Sequence, residues 1–96
     1  MSFKLIFTKE AASQLHILKD RRQKKYKKAL KTLGLLEANP KHPGLHTHKY
    51  SSFSGLNGEE IFEAYVENKT PGAFRVFWHY GPGKKIITVI AITPHP

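Results

Sequence analysis

Gly72-Ala73-Phe74-Arg75-Val76-Phe77-Trp78-His79-Tyr80, then Gly81-Pro82-Gly83-Lys84-Lys85, then Ile86-Ile87-Thr88-Val89-Ile90-Ala91-Ile92-Thr93 is the stretch that decides the fold. Two runs rich in aromatic and β-branched residues flank a Gly-Pro-Gly turn, which predicts a β-hairpin. In the first run Phe74, Val76, Trp78 and Tyr80 fall on one face, and Arg75 and His79 fall on the other. Such alternation describes a strand with one buried face and one left for polar work. The second run is apolar at nearly every position, as a strand inside a sheet is.

Upstream, Glu60 to Glu67 alternates in the same way, with Phe62, Ala64 and Val66 opposite Glu63 and Tyr65. Asn68 to Gly72 reads as the turn into the hairpin. Pairing Glu67 with Ala73 sets Val66 beside Phe74, Ala64 beside Val76 and Phe62 beside Trp78. All the apolar positions then share one face, so the register is self-consistent. In that register Arg75 lies opposite Tyr65 and diagonal to Glu63 and Glu67. A surface ion pair is therefore one role for it, and a phosphate contact is another.

The N-terminal half is helical. Phe3 to Phe7 reads as a short strand. Thr8 is placed to cap a helix over residues 9–19, whose apolar stripe is Ala11, Leu15 and Leu18. Asp20 is the expected break and second cap. A second helix follows with Tyr26, Leu30, Leu33 and Leu36, or Leu35 in its place, as its buried stripe; Gly34 weakens it by about 1 kcal/mol relative to alanine. Asn39-Pro40 ends it, and residues 40–54 read as a loop. The expected architecture is α+β, in the order β-α-α-β-β-β: a helical hairpin packed on a largely antiparallel four-stranded sheet.

The chain of 96 residues is read as a single domain, 1–96, and it carries a net charge of +9 with no cysteine. The missing thiols fit a reducing cytoplasm. The N-terminus is charged too early for a signal peptide, and no apolar run approaches the roughly 20 residues that span a bilayer. The positive balance points to an anionic partner. Much of it is concentrated at Arg21, Arg22, Lys24, Lys25, Lys27, Lys28 and Lys31, a run without an acid. Lys24, Lys25, Lys28 and Lys31 form an exposed cationic flank, either an RNA or acidic-partner contact or a solvated helix face.

The element order, the basic second helix, and Phe74-Arg75-Val76-Phe77-Trp78 followed by the apolar strand resemble the RelE/ParE toxin superfamily of type II toxin–antitoxin systems. The resemblance runs from Lys4 to His95. It implies a RelE-like fold and, in the ribonuclease branch, a ribosome-associated messenger-RNA endonuclease held silent by an acidic antitoxin protein. The ParE branch inhibits DNA gyrase instead. Arg75 matches the arginine that attends the scissile phosphate. His48-Lys49 with Phe53-Ser54-Gly55 is similar to the segment before the second strand of YoeB-like toxins, and His95 lies where that branch has a histidine. This chain has no tyrosine after His95 and no arginine beyond Arg75, and His46 or His48 stands where the YoeB pattern has glutamate. A family member that binds an antitoxin without chemistry is therefore a further implication.

RNA cleavage through the 2′-hydroxyl needs a base, an acid and a cation at the phosphorane. Histidine suits proton transfer because its charge changes near working pH, and the arginine fork suits a phosphate. The candidate catalytic residues are Arg75, His95, His48 and His46. Lys49 joins Lys24, Lys25, Lys28 and Lys31 as candidate RNA contacts. His42, His46 and His48 also raise a metal alternative, but no cysteine or spaced carboxylate completes it. The reading calls for no metal, no small-molecule cofactor and no membrane.

Overall fold

The computed structural model describes residues 2–68 and 72–94. Strand β1 (Lys4–Phe7) leads into α1 (Lys9–Arg21) and α2 (Gln23–Ala38). A short 3-10 turn (Pro43–Leu45) follows, then β2 (His48–Ser54), β3 (Glu60–Tyr65), β4 (Phe74–Tyr80) and β5 (Ile86–Pro94). The sheet order is β1-β5-β4-β3-β2, with β1 parallel to β5 and the other pairs antiparallel. The chain is thus α+β as expected, with β5 inside the sheet. The β3–β4 register also holds, pairing Phe62 with Trp78 and Ala64 with Val76.

The sheet has five strands rather than four, because His48–Ser54 pairs with the free edge of β3. Its sequence, His-Lys-Tyr-Ser-Ser-Phe-Ser, lacks apolar alternation, and its register shifts between Lys49 and Ser54. Polar, irregular edge strands carry little periodic signal. The helices also differ in detail. Thr8 does cap α1, its side chain accepting from Ala11 N at 3.1 Å. The helix break falls at Arg22, not Asp20: the Arg22 N–H closes on Leu18 O at 2.8 Å, and Asp20 stays within α1, 3.2 Å from His16 Nε2. In α2 the buried stripe is Ala29, Thr32, Leu33 and Leu36, while Leu30 is 44% exposed. Thr32 is tolerated there because its hydroxyl lies 3.1 Å from both Lys28 O and Tyr65 O.

One layer of core lies between the helices and the sheet. Ala11, Leu18, Ala29, Leu33 and Leu36 meet Ala64, Val76, Trp78, Ile87 and Val89. The Gly-Pro-Gly turn closes with Gly81 N–H on Ile86 O at 2.7 Å, and Gly81 and Gly83 hold φ near 89° and 85°, which glycine adopts freely. Between Phe77 and Trp78 the β4–β5 register slips by one residue, leaving Ile90 outside the ladder. The start of α1 repairs this: Thr8 Oγ1 donates to Ile90 O at 3.1 Å, and Gln14 Oε1 accepts from Ile92 N at 2.6 Å. A bulge stabilised in this way bends the strand and re-aims its side chains. Among the described residues no helix is long and apolar enough to cross a membrane.

Candidate functional site

Strand alternation turns Ile61, Glu63 and Tyr65 of β3, and Arg75, Phe77 and His79 of β4, away from the helices. The added edge strand brings His48 opposite Glu63 on the same open face. Glu63 is the hub. Its carboxylate is only 1% exposed, and Oε1 lies 3.1 Å from His48 Nε2 and 3.4 Å from Arg75 Nε. A carboxylate this deep needs charge and hydrogen-bond partners. The Arg75 contact is an ion pair without hydrogen-bond alignment, since Nε makes no hydrogen bond. His48 Nδ1 lies 3.0 Å from His46 O, so both ring nitrogens face acceptors, an arrangement that a doubly protonated imidazolium satisfies. At 47% side-chain exposure, His48 is the accessible member of the group.

Arg75 is 8% exposed and held from several sides. Its guanidinium stacks on Tyr65 at 3.8 Å, and Nη1 donates to Glu67 O at 2.6 Å and Phe74 O at 3.2 Å. Nη2 makes no hydrogen bond among the described residues, which leaves one donor edge for an anion. Strict alternation puts the Glu67 side chain on this face as well. Instead Val66 N and Glu67 N both donate to Phe74 O, at 3.1 and 3.2 Å, so the ladder kinks there. The kink gives the Glu67 carbonyl to Arg75 and its carboxylate to α2, 2.7 Å from Lys25 and 3.5 Å from Lys28. Burial opposes the charge of Glu67. The Lys25 hydrogen bond, the Phe74 N–H and the charges of Lys25 and Lys28 outweigh it and hold its carboxyl below the usual carboxylate range.

Of the sequence-predicted residues, the fold gathers Arg75, His46 and His48 around Tyr65. The His46 ring lies 5.2 Å and the His48 ring 5.7 Å from the Tyr65 ring. Lys49 is not part of that group: it pairs with Phe62, faces the other side of β2 and reaches Glu60 at 3.2 Å. Lys25 and Lys28 are tied to Glu67, whereas Lys24 and Lys31 make no ion pair among the described residues. His95 lies outside the described residues. His42 accepts from Gly44 N at 2.9 Å and caps the 3-10 turn. Among the described residues no three His, Cys, Asp or Glu side chains are grouped as a metal site would need. Sequence reasoning undervalued Glu63, and its signal was an acid flanked by Phe62 and Ala64 on the Arg75 face of β3.

No protein-family model matches the sequence, and no characterised protein matches it in sequence. Solved structures do match. A YoeB/ParE toxin from Agrobacterium tumefaciens superposes with a TM-score of 0.74 at 11% identity, over 97% of this chain and 99% of that one. The YoeB dimer from Staphylococcus aureus gives 0.73 at 12% identity over 100% of both chains. The archaeal RelE-RelB complex from Pyrococcus horikoshii OT3 gives 0.68 at 17%, over 98% and 96%. The chain therefore has the fold of the YoeB and RelE toxins, as the sequence resemblance implied.

Proposed function

We propose that this chain is the toxin of a type II toxin–antitoxin system, one domain over residues 1–96, acting in the cytoplasm as a messenger-RNA endonuclease at the ribosome. The observation that carries the reading is the meeting of His48, Arg75 and Glu63 on the open face of a toxin-like fold, beside a cationic helix. In the proposed reaction a base takes the 2′-hydroxyl proton, and the 2′-oxygen attacks phosphorus. The P–O5′ bond breaks, leaving a 2′,3′-cyclic phosphate and a 5′-hydroxyl. His48 protonates the departing 5′-oxygen, and the free Nη2 edge of Arg75 meets the equatorial phosphate oxygens. His46, exposed beside Tyr65, and His95 are the candidates for the base. Side chains alone supply this chemistry. Lys24 and Lys31 extend the anion track along α2, with Lys25 and Lys28 bracing it through Glu67. The same basic surface suits an acidic antitoxin that orders as it binds.

A second reading has its own support. Most of the Arg75 guanidinium is already engaged by Glu63, Tyr65 and the Glu67 carbonyl, which suits a protein that binds without catalysing, on gyrase or on an antitoxin alone. Induced expression with parallel pulse-labelling separates the readings. Rapid loss of protein synthesis is expected of the nuclease. Continued translation with altered plasmid supercoiling would favour gyrase, and unimpaired growth would favour the antitoxin-only protein.

A further inference from the structure

We propose that a cavity of about 740 Å3 at the opposite end of the open face is a guanine-binding pocket for single-stranded RNA lying across the sheet. This inference rests on the nuclease reading above. The cavity lies where the start of α1, the β5 bulge and the turn between β2 and β3 converge around His79. His79 follows Arg75 by four residues on the same strand and face, about 13 Å along it. A strand whose scissile phosphate sits at Arg75 therefore reaches the cavity within a nucleotide or two.

Its walls are apolar: Ile6, Ile90, Ala91 and Pro82 form a slot suited to a flat ring. Leu56, fully exposed on the turn, stands at the lip. Among the polar groups that line the slot, with Lys9, Thr8 and Thr88, are the His79 imidazole and the Glu59 carboxylate. His79 is 8% exposed, and its Nδ1 lies 2.9 Å from Tyr80 O. A carbonyl only accepts, so Nδ1 carries the proton, and Nε2 makes no hydrogen bond among the described residues. The Glu59 carboxylate is pinned by Asn57 N–H on Oε1 at 3.0 Å and lies so close over Gly55 that a Cβ there would collide with it. Backbone N–H groups of Glu59 and Asn57, with a contribution from His79, hold its carboxyl below the usual range, so it presents a charged acceptor.

A fixed carboxylate is matched by two parallel N–H donors. Among the RNA bases only guanine presents such a pair, N1–H beside the N2 amine. Adenine and cytosine set a ring lone pair beside their amine, and uracil flanks its N–H with two carbonyls; each turns a lone pair toward the carboxylate. The pocket thus takes a base.

The test uses guanosine, adenosine and cytidine as probes, titrated into the full chain while the His79 ring and Leu56 methyl resonances are followed by NMR. Guanosine is expected to shift both saturably and to bind at least about tenfold more tightly than adenosine. Glu59→Gln should remove that preference at an unchanged melting temperature. Gly55→Ala, which pushes the carboxylate aside, should do the same if the first variant is unstable. Absent saturation with guanosine, equal binding of the three nucleosides, or an undiminished preference in both variants would overturn the proposal. Nucleosides carry no scissile phosphate, so the outcome is independent of cleavage. Intact RNA cleavage with no guanosine binding removes the pocket alone, and guanosine binding without cleavage removes the nuclease reading alone.

Discussion

Trp78→Ala is the perturbation that tests the packing most sharply. The side chain is fully buried, stacks on Phe62 with ring centroids 5.0 Å apart and meets Tyr80 edge-on at 4.9 Å. Truncating a buried tryptophan costs about 3–5 kcal/mol. Two features move the value to the low end. Trp78 Nε1 is buried without a hydrogen-bond partner, so its deletion relieves a group whose burial costs about 1–3 kcal/mol. The ring also borders a cavity of about 510 Å3, which lets water into the space left behind. The expected loss is therefore about 3 kcal/mol, or a fall in melting temperature of roughly 12–24 °C for a domain of this size. Circular dichroism during urea and thermal unfolding reads it directly, since the chain has no other tryptophan to report by fluorescence. Trp78→Phe keeps the stack, removes the unpaired donor and should lose no more than about 1.5 kcal/mol. A loss below about 1 kcal/mol for Trp78→Ala would show that the ring does not carry the core.

Four further outcomes are expected. Gly34→Ala should raise stability by about 0.5–1 kcal/mol, because a Cβ there meets nothing within 4 Å on the exposed face of α2; an unchanged or lower urea midpoint would contradict this. The Glu67 carboxyl is held below the ordinary glutamate value of 4.5 in the folded chain, so its stabilisation is present above that value and is lost as pH falls through the depressed one. Glu67→Gln should therefore cost about 1–2 kcal/mol near neutrality and flatten the acid limb of stability against pH. Reversing Lys24 and Lys31 to Glu should weaken antitoxin or ribosome binding in a salt-dependent way without unfolding, because Lys25 and Lys28 still hold Glu67; binding that is equal at low salt would make the flank merely solvated. Arg75→Ala should cost about 3–5 kcal/mol of stability by deleting a cation that faces the buried Glu63 carboxylate, so its activity is read only alongside its melting curve.

The β3–β4 register was legible because strand alternation leaves one pairing that keeps Phe62, Ala64, Val76 and Trp78 on a common face. Thr8, Ala11 and Leu18 followed from capping and periodicity for the same local reason. What escaped was long-range. Edge strand β2 has no apolar face, so the approach of His48 to Glu63 could not be read without the fold. Glu67 alternates onto the Arg75 face in sequence, and only the doubled hydrogen bond at Phe74 O turns it toward Lys25, 42 residues away. Leu30 fits the helical period of α2, yet Ala29 occupies the contact because its small side chain admits close packing.

On the proposed function, His48 and Arg75 form an RNA-cleaving pair on the open face. It is tested most directly by mapping RNA 5′ ends after induction of the wild type and of His48→Gln, a half-exposed substitution that should melt normally. New 5′-hydroxyl ends within messenger RNA are expected for the wild type, and about 10²–10⁴-fold fewer for His48→Gln. No new ends from the wild type, or an undiminished set from folded His48→Gln, would contradict it.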